Sequence, residues 1–251
     1  MIRFLLIFML QTPNATLSRV GIDQHLGSRV DPDIVFHDEY GQDARLGDLF
    51  HSRPVLLTPV YYECPMLCSI QLNGLGRALK VMPLTAGKDF DIITFSIDPR
   101  ETPELARNKK ERYVRDYGRS SAIAGWRFLT GDAESISRLT DDIGFRYTVD
   151  PSTGQFAHAS TLLVLMPDGR ISQYFNGIEY DPVEVKQALR RASEGKTGSI
   201  IKEALLYCYQ YDPATGRYSL AILRVVRLGG IATLLGLVIL AAWASRQRRL
   251  A

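Results

Sequence analysis

The body of this chain carries no arginine-rich run with interleaved aromatics, and its net charge is only +3. Both absences argue against a nucleic-acid partner. No internal repeat and no low-complexity linker interrupts it. Its 251 residues therefore hold one good-sized domain with appendages, or two small ones. Charge is missing altogether from residues 228–245, which read Leu-Gly-Gly-Ile-Ala-Thr-Leu-Leu-Gly-Leu-Val-Ile-Leu-Ala-Ala-Trp-Ala-Ser. Histidine is scarce, with four residues, and cysteine scarcer still, with three, so each can be weighed singly.

Spanning a bilayer takes about 20 apolar residues, and residues 220–226 extend the uncharged run if Arg224 and Arg227 snorkel. A buried core helix is the alternative; the glycines and the lack of polar periodicity argue against it. Trp243 stands where an interfacial aromatic belongs, and Arg246, Arg248 and Arg249 follow it. The positive-inside bias then puts the C-terminus in the cytoplasm and the rest of the chain outside, with Arg224 and Arg227 pulling the other way. At the other end, Arg3 precedes a short apolar run at 4–10, in the manner of a compact signal peptide with a poor cleavage site. Export followed by C-terminal anchoring is the expectation. Residues 1–20 would be a signal-like segment, 21–195 the main domain, 196–220 a juxtamembrane connector, 221–245 a transmembrane helix and 246–251 a basic cytoplasmic tail. The main domain would lie on the periplasmic side of the inner membrane, where cysteines usually pair or bind metal.

Residues 55–61 read as a buried strand, in which Pro59 implies a bulge or the strand's end. Leu72, Leu75 and Leu79 form one apolar face of a helix over 70–80. Residues 91–97 read as a second buried strand. Thr102 caps a helix that Pro103 and Glu104 open and that runs to about 117. A short strand at 126–129 precedes a helix capped by Asp132 and ending near 143. Residues 161–166 and 171–175 flank Pro167-Asp168-Gly169-Arg170 as a β-hairpin, and Asp181-Pro182 starts a helix to about 193. A further hairpin is expected near 38–46, and the domain exit at 194–199. Alternating strands and helices imply a sheet with helices on both faces, to which the late hairpin adds antiparallel strands. The fold expected is α/β and thioredoxin-like: a central mixed sheet flanked by helices, plus the C-terminal transmembrane helix.

Chemistry concentrates in Tyr61-Tyr62-Glu63-Cys64-Pro65-Met66-Leu67-Cys68, between the first core strand and its helix. A thiol at a helix start faces unpaired N–H groups and the positive end of the dipole. Both favour the thiolate, which attacks disulfides and binds soft metals. A separation of four brings both sulfurs to one side of a helical turn. Inert core thiols, a redox pair and metal ligands are the readings, and spacing alone leaves redox and metal level. Among the histidines, His25, His37 and His51 lie in polar, loop-like surroundings that read as solvent-exposed. His158, in Phe156-Ala157-His158-Ala159-Ser160, directly precedes a strand, at a point that would lie beside the cysteine loop. A lone histidine there is more often structural than ligating. As a ligand it would complete a soft three-coordinate site suited to Cu(I), whereas zinc wants a fourth donor. Cys208, among Tyr207, Tyr209 and Tyr211, reads as an unpaired residue packed between tyrosines; an auxiliary copper ligand and an intermolecular disulfide are the alternatives.

Three motifs in order resemble the Sco/SenC family over about residues 34–192. They are Cys64-Pro65-x-x-Cys68 after a strand, Ser96-Ile97-Asp98-Pro99 followed by Glu101-Thr102-Pro103, and His158 ahead of Pro167-Asp168-Gly169. That family consists of copper-binding, thioredoxin-like proteins that assist assembly of the CuA centre of cytochrome c oxidase. The resemblance implies copper as the metal, with Cys64, Cys68 and His158 as its ligands. It places Asp98 close by, where it would tune or orient the site. It also implies the oxidase's copper-site subunit and a periplasmic copper donor as partners, alongside the membrane. The chain departs from the family in three respects. Ser69 stands where Pro often follows the second cysteine, and the spacing from Asp98-Pro99 to Glu101-Thr102-Pro103 is one residue short. Family members are also commonly anchored at the N-terminus. A divergent branch is the expectation.

The activity expected is that of a membrane-tethered copper chaperone. The alternative is a thiol–disulfide oxidoreductase that reduces client cysteines before metallation, with Cys64 attacking and Cys68 resolving; such an enzyme does not need His158. A peroxiredoxin-like peroxidase would show Pro-x-x-x-Thr-x-x-Cys, and Val60-Tyr61-Tyr62-Glu63 precede Cys64 instead.

Overall fold

The structure is a computed structural model that describes residues 19–50, 52–64, 67–151 and 153–198, with a few positions beyond. Of Leu67 and Cys68 only the backbone is described. The chain divides into two units, Met1–Gly198 and Ser199–Ala251. In chain order the first unit runs β1 (Gly21–Ile22), β2 (Val35–His37), β3 (Asp43–Arg45), α1 (Leu46–Leu49), β4 (Val55–Val60), α2 (Leu67–Val81) and β5 (Asp91–Ser96). There follow α3 (Pro103–Tyr117), α4 (Ala122–Gly125), β6 (Trp126–Leu129), α5 (Ala133–Asp142), β7 (Phe145–Val149), β8 (Phe156–His158), β9 (Thr161–Leu165), β10 (Ile171–Asn176) and α6 (Pro182–Ser193). In the second unit the described residues include an antiparallel pair, β11 (Tyr211–Asp212) and β12 (Arg217–Tyr218).

The central sheet has five strands in the order β10-β9-β4-β5-β6. Strands β4, β5 and β6 are parallel, and β9 and β10 are antiparallel to their neighbours. Every residue of β4, β5 and β9 is buried, so these strands read as continuous rather than alternating apolar runs, as strands covered on both faces do. Pro59 neither bulges nor ends its strand. Pro54 and Val60 carbonyls accept from Asp91 and Ile97 across the β5 side. Odd-numbered residues therefore face β9, where pairing has already stopped at Leu57 opposite Leu163. The missing N–H of Pro59 thus removes no ladder bond.

The two faces of the sheet are covered differently. The Trp126 indole N–H donates to Thr94 Oγ1 at 3.0 Å, and Phe128, next along that face, stacks on Tyr113 of α3 with ring centroids 6.2 Å apart. Helix α2 packs against both α3 and α6, which puts these three helices on that side. Phe95 points the other way and meets Phe36 of β2 edge-on at 5.7 Å. Part of the second face is therefore covered by the β2–β3 hairpin, which spans 35–45 and so begins three residues before the one expected near 38–46. The helix starts are as the sequence implies: Thr102, Asp132 and Asp181 each accept a backbone N–H from two or three residues ahead. The β7–β8 hairpin, joined to β1 in a separate three-stranded sheet, is an addition to the expected plan. The membrane span expected at 221–245 and the signal-like segment at 1–20 lie largely outside the described residues. Among the described residues no helix is long and apolar enough to cross a membrane.

A buried ion pair ties α3 to the turn after β2: Lys110 Nζ donates to Glu39 Oε1, with both side chains nearly inaccessible. Arg127 approaches the same carboxylate at 3.7 Å. Removing one partner of such a pair strands a buried charge. Lys110→Ala should lower unfolding free energy by about 3 kcal/mol. In urea titrations the midpoint should fall with the slope unchanged.

Candidate metal centre

Because β4 and β5 run parallel and in register, the segments that leave them emerge side by side at their carboxyl ends, the usual place for a site in an α/β sheet. After β4, Tyr61 and Tyr62 are buried and Cys64 is half-buried. The Cys64 N–H donates to the Tyr61 carbonyl at 3.3 Å, closing a tight turn. The Tyr62 side chain runs inward, its hydroxyl 2.7 Å from the Leu129 carbonyl and 3.1 Å from that of Thr94. Burial holds its phenol well above the usual range. Helix α2 then begins, with Cys68 as its second residue. The Cys68 side chain and all of Cys208 and His51 lie outside the described residues.

After β5 come two acids in different settings. The Asp98 carboxylate is held by Arg100, whose Nε and Nη2 donate at 2.8 and 2.7 Å and whose backbone N–H adds a third bond at 2.9 Å. Burial pushes this carboxyl up, but Arg100 outweighs it and leaves the group below its ordinary value. The Arg100 guanidinium also lies 5.8 Å over the ring of Phe156, two residues before His158. Glu101 is buried and faces the cysteine turn instead. Its Oε2 accepts the Tyr62 N–H at 2.8 Å, its Oε1 accepts the Glu63 N–H at 2.7 Å, and the Ser96 hydroxyl donates to Oε2. Burial raises this carboxyl above the ordinary range, against the pull of those three donors and with help from the neighbouring Asp98 charge. The sequence marked Glu101 only as the acid ahead of Thr102-Pro103, and that was the one available signal.

His158 does not enter β9 directly. It closes β8, opposite Tyr147, with Ala159 and Ser160 before β9 starts. Its half-buried ring meets the edge of Tyr61 at 5.8 Å and lies 5.9 Å from Phe145. Nδ1 is 2.9 Å from the Ala159 carbonyl, which assigns the proton to Nδ1 and the lone pair to Nε2. Burial depresses the imidazolium below its usual pKa, with the Ala159 contact opposing. The ring is therefore neutral near pH 7, the form that ligates metal. Tyr61 joins the two halves of the site: its carbonyl takes the Cys64 N–H and its ring packs on His158. His25 and His37 are exposed and engaged elsewhere, with the Asp142 carbonyl and with Asp43. Among the described residues no three His, Cys, Asp or Glu side chains gather closely enough to hold a metal ion, and the set read from the sequence includes Cys68, whose side chain is not among them.

The depressed pKa of His158 has a definite sign. The unfolded chain takes its proton first, at about 6.5. Stability is thus intact above that pH and falls as pH drops through the folded value. In ¹H–¹⁵N spectra of the metal-free, reduced protein His158 should titrate below 6.5. His158→Gln should flatten the decline in urea midpoint between about pH 7 and 5.

The chain matches the SCO1/SenC family over residues 23–194. The SCO1 protein homolog of Bacillus subtilis (strain 168) is 25% identical over 170 residues, 65% of this chain and 81% of its own. Among solved structures, an Aquifex aeolicus VF5 protein named for electron transfer superposes with a TM-score of 0.60 at 30% identity, over 68% of this chain and 95% of its own. BsSco, a member of the Sco family of cytochrome c oxidase assembly proteins in which a disulfide switch was identified, gives 0.53 at 24% identity over 70% and 99%. Arabidopsis thaliana ScoI, solved with copper bound, gives 0.53 at 16% identity over 66% and 99%. At such identities the last two speak for the fold. The mixed sheet with its flanking helices is the thioredoxin-like fold of Sco proteins, and the chain belongs to the SCO1/SenC family.

Proposed function

We propose that this protein is a membrane-tethered copper chaperone that binds copper through Cys64, Cys68 and His158 and delivers it to the CuA centre of cytochrome c oxidase. The observation that carries the reading is the Tyr61 junction: the thiol-bearing turn and a neutral imidazole meet on one residue. Two thiolates and one imidazole are a soft donor set that suits Cu(I). Cys68 is the second residue of α2, and helix starts in general favour thiolate over thiol. Family membership over residues 23–194 agrees with it, as do the copper held by the plant ScoI and the assembly role of BsSco.

Copper is cargo in this scheme. A three-donor site leaves room for an incoming cysteine of the oxidase subunit, so the ion passes by ligand exchange without release to water. A periplasmic donor loads it by the same route. Asp98 acts at one remove: it holds Arg100, which lies over Phe156 and so braces the strand that ends in His158. The uncharged run within 221–245 serves as the tether, with 196–220 as connector, the domain at 21–195 on the periplasmic side and 246–251 in the cytoplasm. Anchoring raises the effective concentration of the domain at a membrane-embedded client.

The same thiol pair suits the oxidoreductase reading, which has no use for the imidazole. Metal analysis of the reduced chain, purified anaerobically, should find one copper per molecule. Cys64→Ser and Cys68→Ser should each abolish binding, and His158→Ala should weaken it by roughly 10–100-fold. If His158→Ala leaves oxidase assembly in cells intact while Cys64→Ser abolishes it, the oxidoreductase reading replaces this one.

A further inference from the structure

Glu101 stands outside the proposed ligand set, and metal-ligand chemistry gives it no part. Yet the residue is 8% exposed, and a carboxylate so placed is costly unless its oxygens are engaged. They are engaged by main-chain N–H groups of Tyr62 and Glu63, at 2.8 and 2.7 Å, just beyond the last paired residue of β4. Such N–H groups must find partners, and bonds to an ionised acceptor are the strong ones. The Ser96 hydroxyl holds the carboxylate from the other side. Meanwhile the Tyr62 side chain is fixed on the Leu129 and Thr94 carbonyls. The chain entering Cys64 is therefore held at two successive amides and one side chain, all without metal.

We infer that Glu101 is a positioning residue for the copper site: it sets the turn so that Cys64 is aimed before copper arrives, and copper retention depends on it although it does not touch the metal. This rests on the copper reading above, but its first readout does not. Glu101→Gln keeps the volume and turns one acceptor into an NH₂ group set against a backbone N–H. Glu101→Asp keeps both acceptors one methylene short.

The test uses the full chain in detergent, reduced. Hydrogen exchange by mass spectrometry over peptides covering 61–64 is measured on the metal-free protein, and copper loss to a Cu(I) chelator on the loaded one. Glu101→Gln should speed exchange in that segment and copper loss each by roughly tenfold or more. Glu101→Asp should fall between it and the wild type. Lys110→Ala, destabilised far along α3, should leave both at the wild-type rate. Wild-type exchange and copper loss in Glu101→Gln would overturn the inference. So would equal effects from Glu101→Gln and Lys110→Ala, since Glu101 would then act through global stability alone. Should Glu101→Gln not fold, the same measurements on Glu101→Asp decide. If the wild type takes up no copper, the copper reading falls, and exchange at 61–64 still shows whether Glu101 sets the turn.

Discussion

Six residues of β4 lie in parallel register with six of β5, from Val55 against Asp91 to Val60 against Ser96, and the site hangs on that ladder. In-register parallel strands end together. The turn carrying Cys64 and the loop carrying Asp98 and Glu101 therefore leave the sheet as neighbours, although nearly 40 residues of chain separate Tyr62 from Glu101. The register is protected by burial on both faces. A slip by one residue would exchange Thr94, which meets Trp126, with Phe95, which meets Phe36. Neither face could absorb that exchange, because one is filled by the aromatic stack under α3 and the other by the β2–β3 hairpin.

Much of this was legible in the residues. Strands buried on both faces announce themselves as uninterrupted apolar runs, as at 55–60 and 91–96, and helix starts as caps, as at Thr102, Asp132 and Asp181. Pro59 misled because a strand's two edges are not equivalent, and only the three-dimensional pairing says which edge an N–H would have faced. The β7–β8 hairpin has a local signal in the sequence: Phe145, Tyr147 and Val149 alternate ahead of Asp150-Pro151 and Gly154. What no local pattern contains is its destination. β7 pairs with β1 at Arg146 and Gly21, a contact across most of the domain, and that pairing places β8 and His158.

The site divides the same way. Cys64, Cys68 and His158 stand out by residue type and placement, because thiols and imidazoles are rare here. Asp98 came in only through the family resemblance, and its carboxylate proves to be occupied by Arg100. Glu101 did not stand out, since a carboxylate that binds main-chain N–H groups leaves no mark in the pattern of side chains. Motifs report what reacts; they are nearly silent on what holds the reacting group still.

The cysteines and the histidine belong to different sheets. The thiol pair follows a strand of the five-stranded sheet, whereas His158 ends a strand of the β1-β7-β8 sheet, and Tyr61 packs on both Phe156 and His158. The imidazole thus rides on a hairpin of its own. Its placement answers to the pairing of β7 with β1 and that of the turn to Glu101, with Tyr61 in contact with both. Two supports converge on one aromatic residue, so the alignment of turn and imidazole is a property of their joint packing rather than of either sheet.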